Sequence, residues 1–247
     1  MKKELYVAMI FTLALVLIVA APVVLAGHKS VNSTDGRGVL YQVSTYSGLL
    51  NGSLGGVISA EKLKQHGDFG LGTTEGMDGE MIVLNGSFYL GRSDGKVYPV
   101  NDSALIPFAE VTYFDADKTV HINGTYNFTQ FATVMDTGLP SKELFYAIRI
   151  DGLFPYVKFR AIPKQAEPYP TVAEALKNES VFEMHNVKGT LVGIYSPQYS
   201  SGIGYPGYHF HFITDDRSIG GHVYDFTING AEVQLDTLPR LHMVLQD

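Results

Sequence analysis

The amino-acid sequence predicts a β-rich fold with mixed or antiparallel sheets, arranged as two lobes. Short runs of β-branched and aromatic residues recur along the chain, and Gly, Asn and Asp separate them. Helical patterns are few and short. A chain of 247 residues is long enough for one large domain, or two small ones, with a sizeable core.

The N-terminus has the pattern of an export signal. Lysines precede an apolar stretch, residues 5–26, which is broken by Pro22 and ends at the small residue Ala26. Cleavage of residues 1–26 as a signal peptide gives a secreted protein, whereas a retained stretch is long enough to act as a membrane anchor. In both cases we expect an extracytoplasmic protein.

Strand-like runs follow in order along the chain. They cover residues 39–45, 80–86, 86–92, 96–100, 109–114, 143–152 and 187–196. Asn85 and Gly86 separate two of these runs, which predicts a hairpin. Residues 59–65 predict a short helix that ends before Gly67.

A proline-rich stretch, residues 161–171, is the best internal boundary, because it holds three prolines and no periodicity. Thr171 and Glu174 have the spacing of a capping box in front of a short helix. We therefore expect an N-terminal β-rich lobe, residues 38–165, and a C-terminal lobe, residues 166–247.

The composition excludes several classes of function. The formal net charge is −7 and no basic stripe lies beyond the N-terminus, which argues against nucleic acid as a partner. The sequence has no cysteine, so disulfides, thiolate nucleophiles and iron–sulfur clusters are ruled out. Asn-x-Ser/Thr triplets are either glycosylation sites of an exported protein or ordinary turns, and they occur at Asn32, Asn51, Asn85, Asn101, Asn123, Asn127 and Asn178.

Three of the eight histidines lie within the stretch GYHFHFITDDRSIGGHV, residues 207–223. The alternation at its start is typical of a strand, so His209 and His211 share one face and aromatic residues form the other. The polar, Gly-terminated segment after them predicts a turn into a second strand. We expect one side of that strand to be formed by His222, Tyr224, Phe226 and Ile228.

A strand pair of this kind brings three imidazoles together and predicts a metal site at His209, His211 and His222. The set favours a catalytic ion, because a closed structural zinc usually has four ligands, mostly thiolates. The alternative is that these histidines are packed or pH-sensitive. The remaining histidines are interpreted as structural or surface residues: His28, His66, His121, His185 and His242.

The stretch PGYHFHFITDDRSIGGHVYDF, residues 206–226, closely resembles the zinc-binding segment of α-acetolactate decarboxylases. Residues 67–89 and residues 144–170 resemble the same family in the same order. The resemblance covers nearly the whole chain from Gly38 onward. It implies an α/β fold in which two β-rich lobes form an active-site cleft, with the C-terminal lobe binding the metal.

The resemblance also assigns residues. It gives the zinc ligands as His209, His211 and His222. It places Glu80, from the DGE element, at or beside the metal, and it implies that Arg160, rather than Arg149, contacts the substrate. Thr73, whose Gly-rich surroundings predict a turn, is implied to bind substrate.

The implied activity is decarboxylation of 2-acetolactate to acetoin by a homodimer, without an organic cofactor. A divalent ion would act as Lewis acid on the hydroxyl and ketone oxygens of this small keto acid. Arg160 would pair with the carboxylate or the enediolate, and Glu80 would carry the proton. Manganese, iron or cobalt would also suit such ligands.

One departure from the family concerns the end of the chain. Family members supply a further glutamate from a C-terminal tail, whereas this sequence has no glutamate after Glu232. We expect Asp247 or water to take its place.

Two other functions fit the histidine pattern. A cupin-like metal oxygenase or isomerase also uses an HxH pair, and Asp215 or Asp216 would then be the carboxylate ligand. The second alternative is an exported metal-binding domain without catalysis. Release of acetoin and CO₂ from acetolactate distinguishes the decarboxylase from both.

Overall fold

The computed structural model describes residues 36–246. The expectations for residues 1–26 and for Asp247 therefore lie outside the described residues. Between residues 36 and 246, no helix combines the length and the hydropathy needed to cross a membrane.

Strands make up most of the described chain. They are β1 (Val39–Val43), β2 (Ile58–Ser59), β3 (Phe69–Thr73), β4 (Glu80–Leu84), β5 (Ser87–Gly91), β6 (Val97–Pro99), β7 (Leu105–Ile106), β8 (Phe108–Thr112), β9 (Lys118–Asn127), β10 (Phe145–Ala161), β11 (Ser180–Ser196), β12 (Gly207–Thr214), β13 (Gly220–Leu238) and β14 (Arg240–Val244). The α-helices are α1 (Tyr46–Leu50), α2 (Ala60–Leu63), α3 (Phe128–Gly138) and α4 (Val172–Ala175).

The first sheet is mixed and has seven strands in the order β14-β1-β8-β3-β4-β5-β6. β1 and β14 are parallel, and the other neighbours are antiparallel. Asn85 and Gly86 both have positive φ, 52° and 76°, in the two-residue turn between β4 and β5. This confirms the predicted hairpin, because Asn-Gly adopts such turns at little cost.

The second sheet has five antiparallel strands in the order β10-β11-β12-β13-β9. β13 pairs with β10 as well as with β12, so hydrogen bonds close β10, β11, β12 and β13 into a ring. The prediction of a β-rich fold with mixed and antiparallel sheets is confirmed.

The sheets do not follow the expected boundary at residues 165 and 166. β9 and β10 precede this boundary and β11 to β13 follow it, yet all five strands share one sheet. The reason is that β10 and β11, each of 17 residues, pair along nearly their whole length. The proline-rich stretch is thus part of the connection between β10 and β11. The helix α4 follows it in the same connection and has the predicted Thr171–Glu174 capping box.

Apolar side chains fill the space between the two sheets, and they also cover the opposite face of each sheet. One cluster joins Leu71 and Ile82 of the first sheet to Val192 and Ile213 of the second. A second cluster is rich in aromatic rings and packs α3, through Phe131, against the second sheet. Aromatic burial of this kind holds β12 and β13 in fixed positions.

Candidate functional site

The structure brings the three predicted histidines together. His209 and His211 lie on β12, and His211 is directly opposite His222 on β13. One nitrogen from each ring lies within 4.8 Å of the others, and His209 Nε2 is 3.0 Å from His222 Nδ1. These distances suit three ligands converging on one ion.

A β-bulge in β13 brings His222 into this cluster. Val223 pairs with Phe159 and Asp225 pairs with Lys158, so Tyr224 is the extra residue on β13. A bulge of this type reverses the alternation of side chains from the point where it occurs.

The bulge corrects one prediction. His222, Phe226 and Ile228 were expected on one side of the strand, but Phe226 and Ile228 pack with Val223 in the aromatic cluster. His222 lies on the opposite face, with the other histidines. Tyr224 is 39% exposed.

The opposite face of β12 is apolar, as the alternation predicts. Tyr208, Phe210 and Phe212 are buried in the aromatic cluster. Phe131 of α3 stacks edge-on against Tyr208 and Phe210. The backbone that carries two of the imidazoles is therefore held by dense packing.

Burial keeps the imidazoles neutral. Removal from water lowers the pKa of His209 and His222 well below the ordinary value and lowers the pKa of His211 to about 3. His211 Nδ1 lies 2.8 Å from the carbonyl oxygen of Met81, which only accepts, so this nitrogen carries the proton. His211 Nε2 is left with a free lone pair, the state that a metal ligand requires.

Glu80 and Arg160 form a buried ion pair beside the histidines. Glu80 is the first residue of β4 and 4% exposed, and Arg160, on β10 opposite His222, is 7% exposed. Arg160 Nη1 donates to Glu80 Oε1, and Glu80 Oε2 lies 3.5 Å from His211 Nε2. Burial raises the pKa of Glu80, and the charge of Arg160 opposes that rise.

Glu179 and Tyr224 lie on the other side of Arg160, and the sequence predicted a role at the site for neither of them. Arg160 Nε lies 3.5 Å from Glu179 Oε2 and has no hydrogen-bond acceptor among the described residues. The hydroxyl of Tyr224 donates to Glu179 Oε2 at 2.6 Å, and its ring faces the guanidinium at 5.9 Å. No sequence pattern marks these residues, because the bulge and a separate loop bring them together.

Thr73 lies in a strand, which corrects the prediction of a turn. Thr73 is the last residue of β3. This segment is extended because β3 pairs with β4 on one side and with β8 on the other. Its hydroxyl donates to the carbonyl of Gly79 at 2.7 Å, directly before Glu80. Thr73 thus fixes the turn from which Glu80 begins.

A cavity opens over these groups. Thr73, Glu80, Arg160 and the three histidines contribute its polar wall. The rest is mainly aromatic or apolar and includes Tyr46, Leu49, Met77, Phe108, Val172 and Tyr205. Arg149 is not part of this wall. Its guanidinium donates hydrogen bonds to Asp151 and Asn85 instead.

The cupin-like arrangement does not form. Asp215 and Asp216 lie in the exposed turn between β12 and β13. Asp216 accepts hydrogen bonds from Thr214 and Ser218 within that turn. Neither carboxylate belongs to the histidine cluster found among residues 36–246.

A second glutamate, Glu110, lies behind the histidines, and sequence analysis missed it. It is fully buried in β8, and its Oε2 is 3.9 Å from His209 Nδ1. Burial raises the pKa of Glu110 to about 8. The signal in the sequence was an acidic residue in the middle of an otherwise apolar strand.

Comparison with known proteins agrees with this architecture. A family model described as alpha-acetolactate decarboxylase matches residues 40–247. The alpha-acetolactate decarboxylase of Methanosarcina mazei is 48% identical over 204 residues, which are 83% of this chain and 71% of that protein. The enzyme of Bacillus licheniformis is 43% identical over 79% of this chain and 78% of its own.

The fold is likewise similar to a solved structure. The crystal structure of alpha-acetolactate decarboxylase from Bacillus subtilis strain 168 superposes with a TM-score of 0.82. The two sequences are 40% identical, over 85% of this chain and 89% of that one. The chain therefore belongs to the alpha-acetolactate decarboxylase family, which confirms the enzyme class predicted from its sequence.

Proposed function

We propose that this chain catalyses the metal-dependent decarboxylation of 2-acetolactate to acetoin in the cavity above the histidine cluster. One observation carries the proposal: three neutral imidazoles converge next to the buried Glu80–Arg160 pair. Family membership supplies the substrate class. The geometry supplies an ion site, a cation for a carboxylate and a group that can hold a proton.

The donor set fits a divalent metal ion, which we propose to be zinc. Imidazole nitrogen suits zinc, and three protein ligands leave an open position, as in catalytic sites. The ligands would be His209, His211 and His222. The ion, when bound, would supply a Lewis acid for the substrate hydroxyl and ketone oxygens.

Arg160 binds the substrate carboxylate in this proposal. Its Nε–H is buried and has no hydrogen-bond acceptor among the residues that the structure describes, so a carboxylate oxygen would complete its bonding. The bond between the carboxylate carbon and the hydroxyl-bearing carbon then breaks and CO₂ leaves. The electron pair remains with the substrate as an enediolate, whose negative charge Arg160 stabilises.

Glu80 completes the reaction by taking up a proton from solvent and delivering it to the carbon that carried the carboxylate. Its pKa is raised by burial, which lets a carboxyl group hold a proton at a higher pH than in water. One proton is consumed for each CO₂ released, and the product is acetoin. Thr73 Oγ1 would accept a hydrogen bond from the substrate hydroxyl, since the Thr73 hydroxyl already donates its proton to the carbonyl of Gly79.

An assay on the full chain tests this function. The protein is loaded with zinc and given racemic 2-acetolactate, and acetoin and CO₂ are measured with and without a chelator. We expect both products in equal amounts and their loss with chelator. Zinc-loaded protein that forms no acetoin would overturn the proposal in favour of a metal-binding domain without catalysis.

We also propose that the protein is exported and forms a homodimer. The pattern of residues 1–26 supports export, and the family resemblance supports the dimer. N-terminal sequencing after cell fractionation distinguishes a cleaved signal peptide from a retained anchor. Light scattering after chromatography gives the subunit number, and a monomer would contradict the dimer.

A further inference from the structure

Glu110 lacks the partners that a buried carboxyl group requires. It is 0% exposed, and neither carboxylate oxygen has a hydrogen-bond donor among the described residues. Buried polar atoms are nearly always hydrogen-bonded, and each exception calls for an explanation. Each of the two oxygens of Glu110 therefore needs a hydrogen-bond donor.

The missing partners lie next to it. His209 Nδ1 is buried, has no hydrogen-bond partner within residues 36–246, and lies 3.9 Å from Glu110 Oε2. Ser196 Oγ is also buried and has no hydrogen-bond partner in this part of the chain. A methyl group at Gly204 would lie 2.9 Å from Ser196 Oγ and 3.0 Å from Glu110 Oε1, so both atoms flank the same glycine.

The three residues carry complementary hydrogen-bonding groups. Ser196 Oγ–H is a donor, the carboxyl oxygens of Glu110 are acceptors, and one nitrogen of His209 is a donor in the neutral ring. The 3.9 Å separation is about 1 Å longer than an N–H···O bond. A hydrogen bond between them requires the ring or the carboxyl group to rotate.

We propose that Glu110 is a positioning residue of the metal centre: one of its carboxyl oxygens accepts the Nδ1–H of His209 and leaves Nε2 free to bind the ion. Ser196 donates to the other carboxyl oxygen and fixes its orientation. The inference rests on the proposed metal site. Such an outer acceptor orients a histidine ligand and increases its basicity.

Zinc affinity of the full chain, measured by competition with a chromophoric chelator, tests the inference. We expect Glu110→Gln to weaken zinc binding about 10–100-fold, with Ser196→Ala having a smaller effect in the same direction. The matched control is Asp236→Asn, a buried carboxyl that does not line the cavity, and its zinc affinity should equal that of the wild type. At saturating zinc, the KM of the Glu110→Gln variant should stay near the wild-type value while kcat falls.

The outcomes separate the two proposals. Wild-type protein that binds no zinc contradicts the metal site itself. Wild-type and Glu110→Gln proteins with equal zinc affinity contradict only the positioning role, even if the variant melts at a lower temperature. If Glu110→Gln does not fold, Gly204→Ala decides, because its methyl group would displace the carboxylate: unchanged zinc affinity would overturn the inference.

Discussion

The histidine cluster has two sides that use a buried glutamate in different ways. On the cavity side, formed by Glu80, Arg160 and Thr73, the glutamate is paired with a cation and lines the cavity. On the rear side, formed by Glu110, Ser196 and Gly204, the glutamate pairs with no Lys or Arg of residues 36–246, and its Oε2 lies 3.9 Å from one imidazole nitrogen.

The difference shows how similar residues acquire separate roles. A carboxylate held by Arg160 next to open space can meet a substrate, whereas a carboxylate enclosed behind a ligand can act only through that ligand. We therefore expect changes on the cavity side to lower activity without changing zinc affinity, and changes on the rear side to weaken zinc binding. Each prediction below tests that division.

Glu80→Gln should have the largest effect. The variant keeps the shape of the side chain but cannot deliver a proton, so kcat should fall about 10²–10⁴-fold. Zinc content should remain one ion per chain, because the three histidines are unchanged. Steady-state kinetics and elemental analysis check this prediction. If the variant lost zinc as well as activity, the cavity side would also be needed for metal binding, and the proposed division between the two sides would be wrong.

Arg160→Lys should have the next largest effect. Lysine keeps the charge but not the forked donors, so the Nε contact offered to the substrate carboxylate is lost. We expect kcat/KM to fall about 10–100-fold, the equivalent of one charged hydrogen bond. Arg149→Lys is the matched control, since Arg149 lies away from the cavity. Equal losses in both variants would argue against a role for Arg160 in binding.

Thr73→Val should have a smaller effect. Valine matches the shape of threonine but cannot bond to the carbonyl of Gly79, a contact of 2.7 Å that fixes the turn before Glu80. A neutral hydrogen bond contributes about 1 kcal/mol, so activity should fall about tenfold or less. Thr73→Ser retains the hydroxyl and should behave like the wild type. A Thr73→Ser variant as impaired as Thr73→Val would show that packing matters and the hydrogen bond does not.

Asp236 shows what a buried carboxyl does away from the histidines, and its effect should be the smallest. Burial raises its pKa to about 7, so the folded protein holds a proton that the unfolded chain has released above its ordinary value of 3.8. The contribution of this proton to the free energy of unfolding is fully present below about pH 4 and is lost as the pH rises towards 7. Asp236→Asn should flatten this part of the pH profile of unfolding free energy, measured with denaturant, without changing zinc affinity.

The sequence predicted the parts of this site that depend on local periodicity. Alternation along β12 correctly separated His209 and His211 from the aromatic face, and Asn85–Gly86 located a hairpin. Local patterns could not reveal the bulge at Tyr224, because it arises from pairing with β10, a strand distant in sequence. Glu110 was marked only as an acidic residue in an apolar strand, and its neighbours could not be predicted locally because they come from β11, β12 and a loop.

One local signal was present and not used. The helix α3 begins with a complete capping box, in which Asn127 and Gln130 bond to each other's backbone. Its two fully buried side chains, Phe131 and Met135, are four residues apart, as expected for an amphipathic helix. The aromatic and β-branched residues around it are typical of strands and obscured this pattern.

Metal content is the measurement that tests the central claim most directly. Folded wild-type protein, dialysed against zinc and then against buffer, should hold one zinc ion per chain by elemental analysis. A His209→Ala/His211→Ala variant with the same circular dichroism spectrum should hold none. Folded wild-type protein without zinc, or equal zinc in both proteins, would contradict a metal centre built from His209, His211 and His222.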